Sequence, residues 1–304
     1  MRLLIIGVAG GAGRLLAQRL LDDPAVTALT GLDERPLRPA IPGLRFVRAA
    51  LDQPEVSGLV AGMDAIVHPA SLDGGADGSL RVPDRVLVDR TKRLVEMAQA
   101  AHVRRLVVIL SGAVYGGPPG AVHSEADRIR GHGAGSLVRA QAQIADYLDA
   151  VAARWPSGAL VQLRAAWLCG PGAMRLVRWW QRVPVIACGR GARLFQALHP
   201  DDLAAAVRLA LRDGLAGVYN VGGAEPLSLH TVAHMAGRAG ACAPLGLLVL
   251  RAWLVQHRGG SAPSPDALRA LYSGGVLDTS RLREAGWAPR YTTRGALLDA
   301  LAAL

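Results

Sequence analysis

The sequence predicts an α/β fold: a doubly wound parallel sheet with helices on both faces, followed by a smaller C-terminal lobe. Three observations predict it. Short apolar strand patterns alternate with amphipathic helix patterns along the 304 residues, as expected of a parallel sheet covered on both sides. The first strand pattern runs straight into Gly7, Gly10 and Gly13 and then into a helix pattern. An acidic residue, Asp33, closes the second strand about 20 residues after that turn.

The opening strand covers residues 2–6, and Ala12, Leu16 and Leu20 then recur at helical spacing, with Arg14, Gln18, Arg19 and Asp22 on the opposite side. Strand, glycine turn and helix in that order aim backbone N–H groups and the positive helix end at one point, a place for a pyrophosphate. This is the Rossmann-type dinucleotide turn, and Gly7, Gly10, Gly11, Ala12 and Gly13 are its candidate contacts. The glycines serve a tight turn, close approach to phosphate and close packing of helix on strand. Asp33 is placed to bind ribose hydroxyls and favours NAD, because a carboxylate repels a 2′-phosphate. Arg35 and Arg38 follow closely and leave NADP open.

Hydrophobic residues make up 51% of the chain and charged residues 19%, enough to bury a substantial core and to exclude a disordered chain. The early glycines interrupt the apolar start too soon for a signal peptide or a membrane span, and the apolar run 245–255 is broken by Arg251. A cytoplasmic protein without a membrane partner is expected. Cys169, Cys188 and Cys242 stand far apart, which argues against a disulfide framework or a zinc site. The net charge of +10 invites a nucleic-acid reading, but it comes almost wholly from scattered arginines and Lys92 is the one lysine. No basic block or nucleic-acid motif accompanies it, so no nucleic-acid partner is expected. Anionic small molecules are the partners this charge suits. A homodimer is compatible with all of this.

The remaining elements follow in order. A third strand covers 44–48, a short helix 56–61 and a fourth strand 65–68, leading into Pro69, Ala70 and Ser71. A Gly- and Asp-rich loop at 73–79 precedes a long helix at 84–101, and a strongly apolar fifth strand, 105–110, ends at Ser111. Residues 112–135 are dense in Gly, Pro and His, a connection longer than compact domains ordinarily use and of the kind that carries function. A helix at 136–154 and a sixth strand at 159–163 come next. Beyond Gly170-Pro171-Gly172 the pattern mixes lobe and sheet: helices at 203–212, 228–240 and 244–256, a strand at 218–221, a linker at 259–265, and closing segments at 280–286 and 295–304. The expected division is 1–168 as dinucleotide-binding domain and 169–304 as mainly a lobe, returning to the sheet at about 195–221.

Several segments in this order resemble the extended short-chain dehydrogenase/reductase superfamily, in its NAD-dependent epimerase/dehydratase-like branch. They are the Gly-x-x-Gly-x-x-Gly turn, Asp64 through His68, Pro69, Ala70 and Ser71, and Leu110-Ser111-Gly112-Ala113-Val114-Tyr115-Gly116. Leu163-Arg164 through Gly172, His199-Pro200-Asp201-Asp202, Val218 through Gly223 and Leu277 through Pro289 follow the same family pattern. The resemblance implies that His68, Pro69, Ala70 and Ser71 pass beside adenosine and ribose, that Leu51 and Asp52 lie near adenine, and that Ser111 is the active-site hydroxyl. It also implies that 169–304 holds a substrate such as a sugar nucleotide.

The family's Tyr-x-x-x-Lys pair does not occur. Alignment on Gln143 places Gly135 at the tyrosine position and Arg139 at the lysine position, and the residue four before Lys92 is Val88. The tyrosine works as an acid/base because a neighbouring ammonium lowers its pKa. Arg139 can donate to a ribose hydroxyl, but its pKa is too high to shuttle protons. His123, His132, Asp146, Tyr115 and Tyr147 are the nearest replacements in sequence, each with a plain surface or packing role as the alternative. Ala50 and Leu87 also depart from the family pattern, and Gly112 and Ala113 lack the acidic pair of sugar-nucleotide 4,6-dehydratases.

Other groups have simpler readings. His230 and His234, four apart on a helix, lack a third metal ligand. Asp201 and Asp202 precede a helix and would cap it. Trp179 and Trp180, with Arg175, Arg178 and Arg182, would pack or clamp an anionic ligand. Two functions are therefore expected. One is an NAD(P)-dependent oxidoreductase or epimerase with a non-standard acid/base, acting on a sugar nucleotide or another small carbinol or ketone. The other is a catalytically degenerate dinucleotide sensor on the same scaffold.

Overall fold

A computed structural model describes residues 1–70, 84–118, 120–133, 135–155, 160–173, 177–178, 181, 185–188, 193–237, 241–258, 262, 265–273 and 275–304. Seven strands form one sheet: β1 Arg2–Ile6, β2 Ala28–Asp33, β3 Arg45–Arg48, β4 Ala65–Pro69, β5 Arg105–Ser111, β6 Leu160–Ala165 and β7 Gly217–Val221. Their order is β7-β6-β5-β4-β1-β2-β3, and every pairing is parallel. The order reverses between β1 and β4, so the loops after Ile6 and Pro69 diverge and leave a crevice at the carboxyl ends of the strands. Open α/β sheets bind ligands there.

Helices cover both faces, which is why the central strands are apolar without alternation. Leu3, Ile5, Val107 and Ile109 pack on one face beneath α1, Gly11–Leu20, and α5, Pro200–Ala210. Leu4, Ile6, Leu106, Val108 and Leu110 pack on the other, beneath α2 Glu55–Ala61, α3 Asp84–Ala100 and α4 Ser136–Ala152. A third core gathers Cys169, Phe195, Leu248, Leu268 and Leu297. It is built chiefly by α6 Leu229–Met235, α7 Leu245–His257, α8 Pro265–Ser273 and α10 Thr293–Ala302, the short α9 Ser280–Glu284 lying between the last two. Among the described residues, no helix is long and apolar enough to cross a membrane.

Several sequence expectations change. α5 starts at Pro200, not 203: His199 is its N-cap and accepts from Asp201 N, so Asp201 and Asp202 lie in the first turn instead of preceding it. Asp201 pairs with Arg19, and buried Asp202 accepts from the backbone N of Arg290 and Tyr291 at 2.7 and 3.0 Å, tying that segment to α5. α6 stops at Met235 and is followed by Gly237 at φ +79, a left-handed residue that ends a helix. α8 was not expected at all. The connection after β5 is anchored rather than loose: Val122–His123 pairs in parallel with Val276–Leu277.

Candidate functional site

The glycine turn is held by contacts only glycine permits. Gly7 follows β1 at φ +73, and its N donates to Leu32 O at 2.7 Å. A Cβ on Gly13 would stand 2.2 Å from Gly7 O, so α1 begins hard against the end of β1. Gly10 is the N-cap of α1 and has no side chain to cap it, while the first turn carries no acidic residue. The positive end of α1, with Gly11 and Ala12 leading it, thus faces the crevice at the β1–β4 switch point. These residues fit a dinucleotide's diphosphate.

Asp33 ends β2 beside this turn and is almost wholly buried. Its Oδ2 accepts from Ala9 N at 2.9 Å and from Arg35 Nη2 at 3.1 Å. Its Oδ1 accepts from Arg35 N at 2.9 Å and Arg35 Nε at 3.1 Å. Arg35 also reaches the turn, where a side-chain carbon on Gly10 would meet its Nη2 at 3.1 Å. Leu51 is buried and Asp52 exposed in the segment after β3. At the end of β4, His68 turns its ring away from the crevice, with Nε2 3.1 Å from Thr91 Oγ1 on α3. Burial lowers its pKa to about 4, so the ring is neutral. Its backbone and those of Pro69 and buried Ala70 form the crevice wall. Ser71 lies outside the described residues, as do the loop at 73–79, Trp179, Trp180, Arg175 and Arg182.

The far side of the crevice is built by β5, α4 and α8. Ser111 caps the short turn Gly112–Tyr115, its Oγ accepting from Ala113 N at 3.2 Å. Gln141, buried on α4, accepts from Ser111 N and donates to Ala70 O, both at 2.9 Å, and so locks the ends of β4 and β5 together. Arg139 is exposed on α4, one turn after Gly135, the N-cap.

Gly135 is the revealing position. A Cβ there would stand 2.2 Å from Asp266 Oδ1. Asp266 comes from α8 and takes two hydrogen bonds at 3.0 Å, from Ser136 N and Ser136 Oγ, on Oδ2. Arg269 Nη1 donates to its Oδ1 at 3.0 Å. A carboxylate therefore fills the space that a side chain at 135 would enter. Neither Asp266 nor Gln141 was picked out from the sequence.

The replacements named from sequence are otherwise engaged. The Tyr115 hydroxyl donates to Asn220 Oδ1 at 2.8 Å in a fully buried setting that raises its pKa, and its ring stacks on His123. His123 Nδ1 lies 3.4 Å from Asp127. His132 and Asp146 form an exposed pair at 2.7 Å, and Tyr147 lies beneath Lys92. His230 and His234 face each other on the surface with 2.9 Å between their Nε2 atoms, and no cluster of three metal-ligating residues occurs among the described residues. Cys169 is buried and its thiol is pushed up to about 12, an inert core residue.

The whole arrangement has relatives. Uncharacterized proteins of Mycobacterium tuberculosis and Sinorhizobium fredii are 27% and 26% identical over 97% of this chain, covering 82% and 76% of theirs. MoeE5, solved with UDP-glucuronic acid and NAD, superposes with a TM-score of 0.72 at 24% identity, over 99% of this chain and 98% of that one. A dTDP-glucose 4,6-dehydratase of Streptomyces venezuelae, DesIV, solved as a double mutant, gives 0.74 at 22% identity, over 99% and 96%. The UDP-glucose 4-epimerase of Thermus thermophilus, solved with NAD, gives 0.71 at 21%, over 100% and 98%. These likenesses establish the fold. The family model for NAD dependent epimerases and dehydratases matches residues 3–222, which span the glycine turn, Ser111, α4 and all seven strands of the sheet from Leu3 onward. The chain belongs to the NAD dependent epimerase/dehydratase family.

Proposed function

We propose that this protein is an NAD(P)-dependent oxidoreductase or epimerase acting on a small carbinol or ketone, with a sugar nucleotide as the first substrate class to test. In this reading residues 1–168 bind the dinucleotide and 169–304 form the substrate lobe. The observation that carries it is the Gly7–Gly13 contact: α1 packs on the end of β1 at a position where any Cβ would strike Gly7 O, the close helix-on-strand packing of a dinucleotide turn. A bound nicotinamide supplies hydride exchange with a carbinol carbon. The chain's own groups do the rest. The first turn of α1 holds the diphosphate, and the backbone of His68, Pro69 and Ala70 lines the crevice. Ser111 Oγ hydrogen-bonds the substrate oxygen, and Arg139 donates to a ribose hydroxyl. Asp266 Oδ1, beside the position that aligns with the family tyrosine, receives and returns the hydroxyl proton.

A second reading is a dinucleotide-binding sensor. It is favoured by one observation, the seating of α8 on Gly135, since a carboxylate already held by Ser136 and Arg269 also serves as a simple helix cap. The experiment joins binding to turnover. Thermal shift with NAD(H) and NADP(H) is followed by a hydride-transfer screen on UDP-glucose, UDP-glucuronic acid and dTDP-glucose. Turnover that falls with Ser111→Ala supports the enzyme. Binding without turnover, unmoved by that change, supports the sensor, and no binding rejects both.

A further inference from the structure

We propose that α7 seats the C-terminal lobe on an anionic phospholipid bilayer, lying flat among the headgroups with its outer face in the lipid. The proposal goes beyond the catalytic reading and does not rest on it. α7 is 13 residues long, LGLLVLRAWLVQH, and carries no acidic side chain. Its inner face is used as expected, with Leu248 and Ala252 buried in the third core. The outer face of such a helix is ordinarily polar. Here it presents Leu247, Leu250 and Leu254, whose spacings of three and four residues make one ridge, with Trp253 beside it. These four side chains are 39–59% exposed. Single exposed leucines are ordinary, whereas a contiguous apolar ridge marks an interaction surface.

Charge decides what covers the ridge. Arg251 and Arg258, both exposed, follow Leu247 and Leu254 by one turn and line one side of it. Trp253 and His257 line the other, their ring centroids 3.9 Å apart. No acidic residue occurs from 226 to 265, a stretch that holds three arginines and three histidines. The cover that suits this surface is apolar and anionic together. A second copy is not, because an isologous contact sets the same acid-free, arginine-bearing face against itself. An anionic bilayer is: leucine enters the acyl boundary, tryptophan sits at headgroup level and arginine meets the lipid phosphates. With 13 residues, short of the roughly 20 that a span requires, α7 lies along the surface rather than through it. The sequence reading set a membrane partner aside by looking for a span, and a flat helix escapes that search.

The test is flotation of the full chain with vesicles of phosphatidylcholine alone and of phosphatidylcholine with an equal part of phosphatidylglycerol. Binding is expected on the mixed vesicles and little on the neutral ones. Leu250→Ser combined with Leu254→Ser should weaken it at least about tenfold, the scale of one leucine withdrawn from lipid. Arg251→Gln and Arg258→Gln should each weaken it about fivefold. All four positions are exposed, so thermal denaturation should return the wild-type midpoint; Leu247→Ser, at the most open position, repeats the test should the leucine pair lower it. The leucine changes leave the net charge of +10 in place. Binding to mixed vesicles that survives them is therefore simple adhesion of a cationic protein and overturns the proposal. Equal binding to both vesicles, or binding to neither, overturns it too. Sedimentation velocity tests the rival occupant: a dimer that the leucine pair splits assigns the ridge to a second copy and rejects the bilayer.

Discussion

Two aspartates, Asp33 at the end of β2 and Asp266 at the start of α8, are held in similar ways. Asp33 and Asp266 are each held by a backbone N–H at the start of a helix or turn and by an arginine close in sequence. Asp33 sits within the chain segment that makes its whole environment: Ala9, Gly10 and Arg35 are all within 24 residues of it. Asp266 reaches Ser136 across 130 residues. The first belongs to the glycine-turn motif; the second is carried to its place by the fold. At the end of β2 a carboxylate is covered by a cation two residues away, and at the start of α4 a carboxylate from α8 fills the space that a side chain at 135 would enter.

Both ends hang on the frame of β1, β4 and β5, and His68 tests that frame. Its ring is buried at the end of β4 with a pKa lowered from 6.5 to about 4. The folded chain thus binds fewer protons than the unfolded one between these values, so stability falls as pH drops below 6.5 and levels off past about 4. About 3 kcal/mol should be lost over that window. Chemical denaturation of wild type and His68→Gln at several pH values measures it as the difference between the two, which cancels the opposite contribution of Asp149 and Asp202, both raised by burial. If the two curves run parallel, the frame does not depend on a neutral His68.

Gly13→Ala breaks the dinucleotide end alone. Its Cβ has nowhere to go but into Gly7 O, Gly7 C and Val8 Cα, all backbone. Overpacking of this kind costs about 1–3 kcal/mol, and displacement of α1 from the turn should weaken dinucleotide binding about tenfold or more, the equivalent of a lost charge-assisted hydrogen bond. Thermal denaturation and titration with NAD+ check both. Unchanged affinity would mean the diphosphate rests elsewhere.

How far each end was readable follows from the same contrast. The glycine turn and Asp33 are local features that one strand-turn-helix pattern suffices to announce, and the alternation of strands and helices is periodic, whereas the order of the strands in the sheet is neither. The fork of Arg35 onto Asp33 was not legible, because β2 stops at Asp33 and it is the bend after it, not a strand register, that turns Arg35 back onto the carboxylate. Ser111 stands out only through the resemblance of 110–116 to a family segment, and its partner Gln141 reads as an ordinary polar residue on an amphipathic helix. α8 was missed even though Ser264-Pro265-Asp266 is a helix-start signal, with proline at the first position and an acid beside it. No pattern in the sequence says that this start docks on another helix's N-terminus. The first turn of α5 was misjudged for a related reason: a proline after His199 opens the helix earlier than the apolar periodicity shows.

Gly135→Ala is the smallest of these changes and the sharpest on the comparison. A methyl group at 135 would stand 2.2 Å from Asp266 Oδ1, which is the end of a side chain rather than backbone, so the carboxylate can swing aside. In doing so it gives up its bonds to Ser136 N and Oγ, the cap of α4. Loss of a helix cap costs about 1 kcal/mol. Binding of NAD+ should stay within about twofold, because nothing on the glycine turn moves, a difference well below one hydrogen bond. Asp266→Asn separates the cap from the proton: it retains an acceptor for Ser136, and asparagine caps as well as aspartate, so stability should hold within about 0.5 kcal/mol. If Asp266 only caps, Asp266→Asn leaves any hydride transfer and its pH profile intact. If it carries the proton, the profile loses the limb that reports a carboxyl group, while Gly135→Ala, which displaces the same carboxylate without removing it, lowers the rate and keeps the limb.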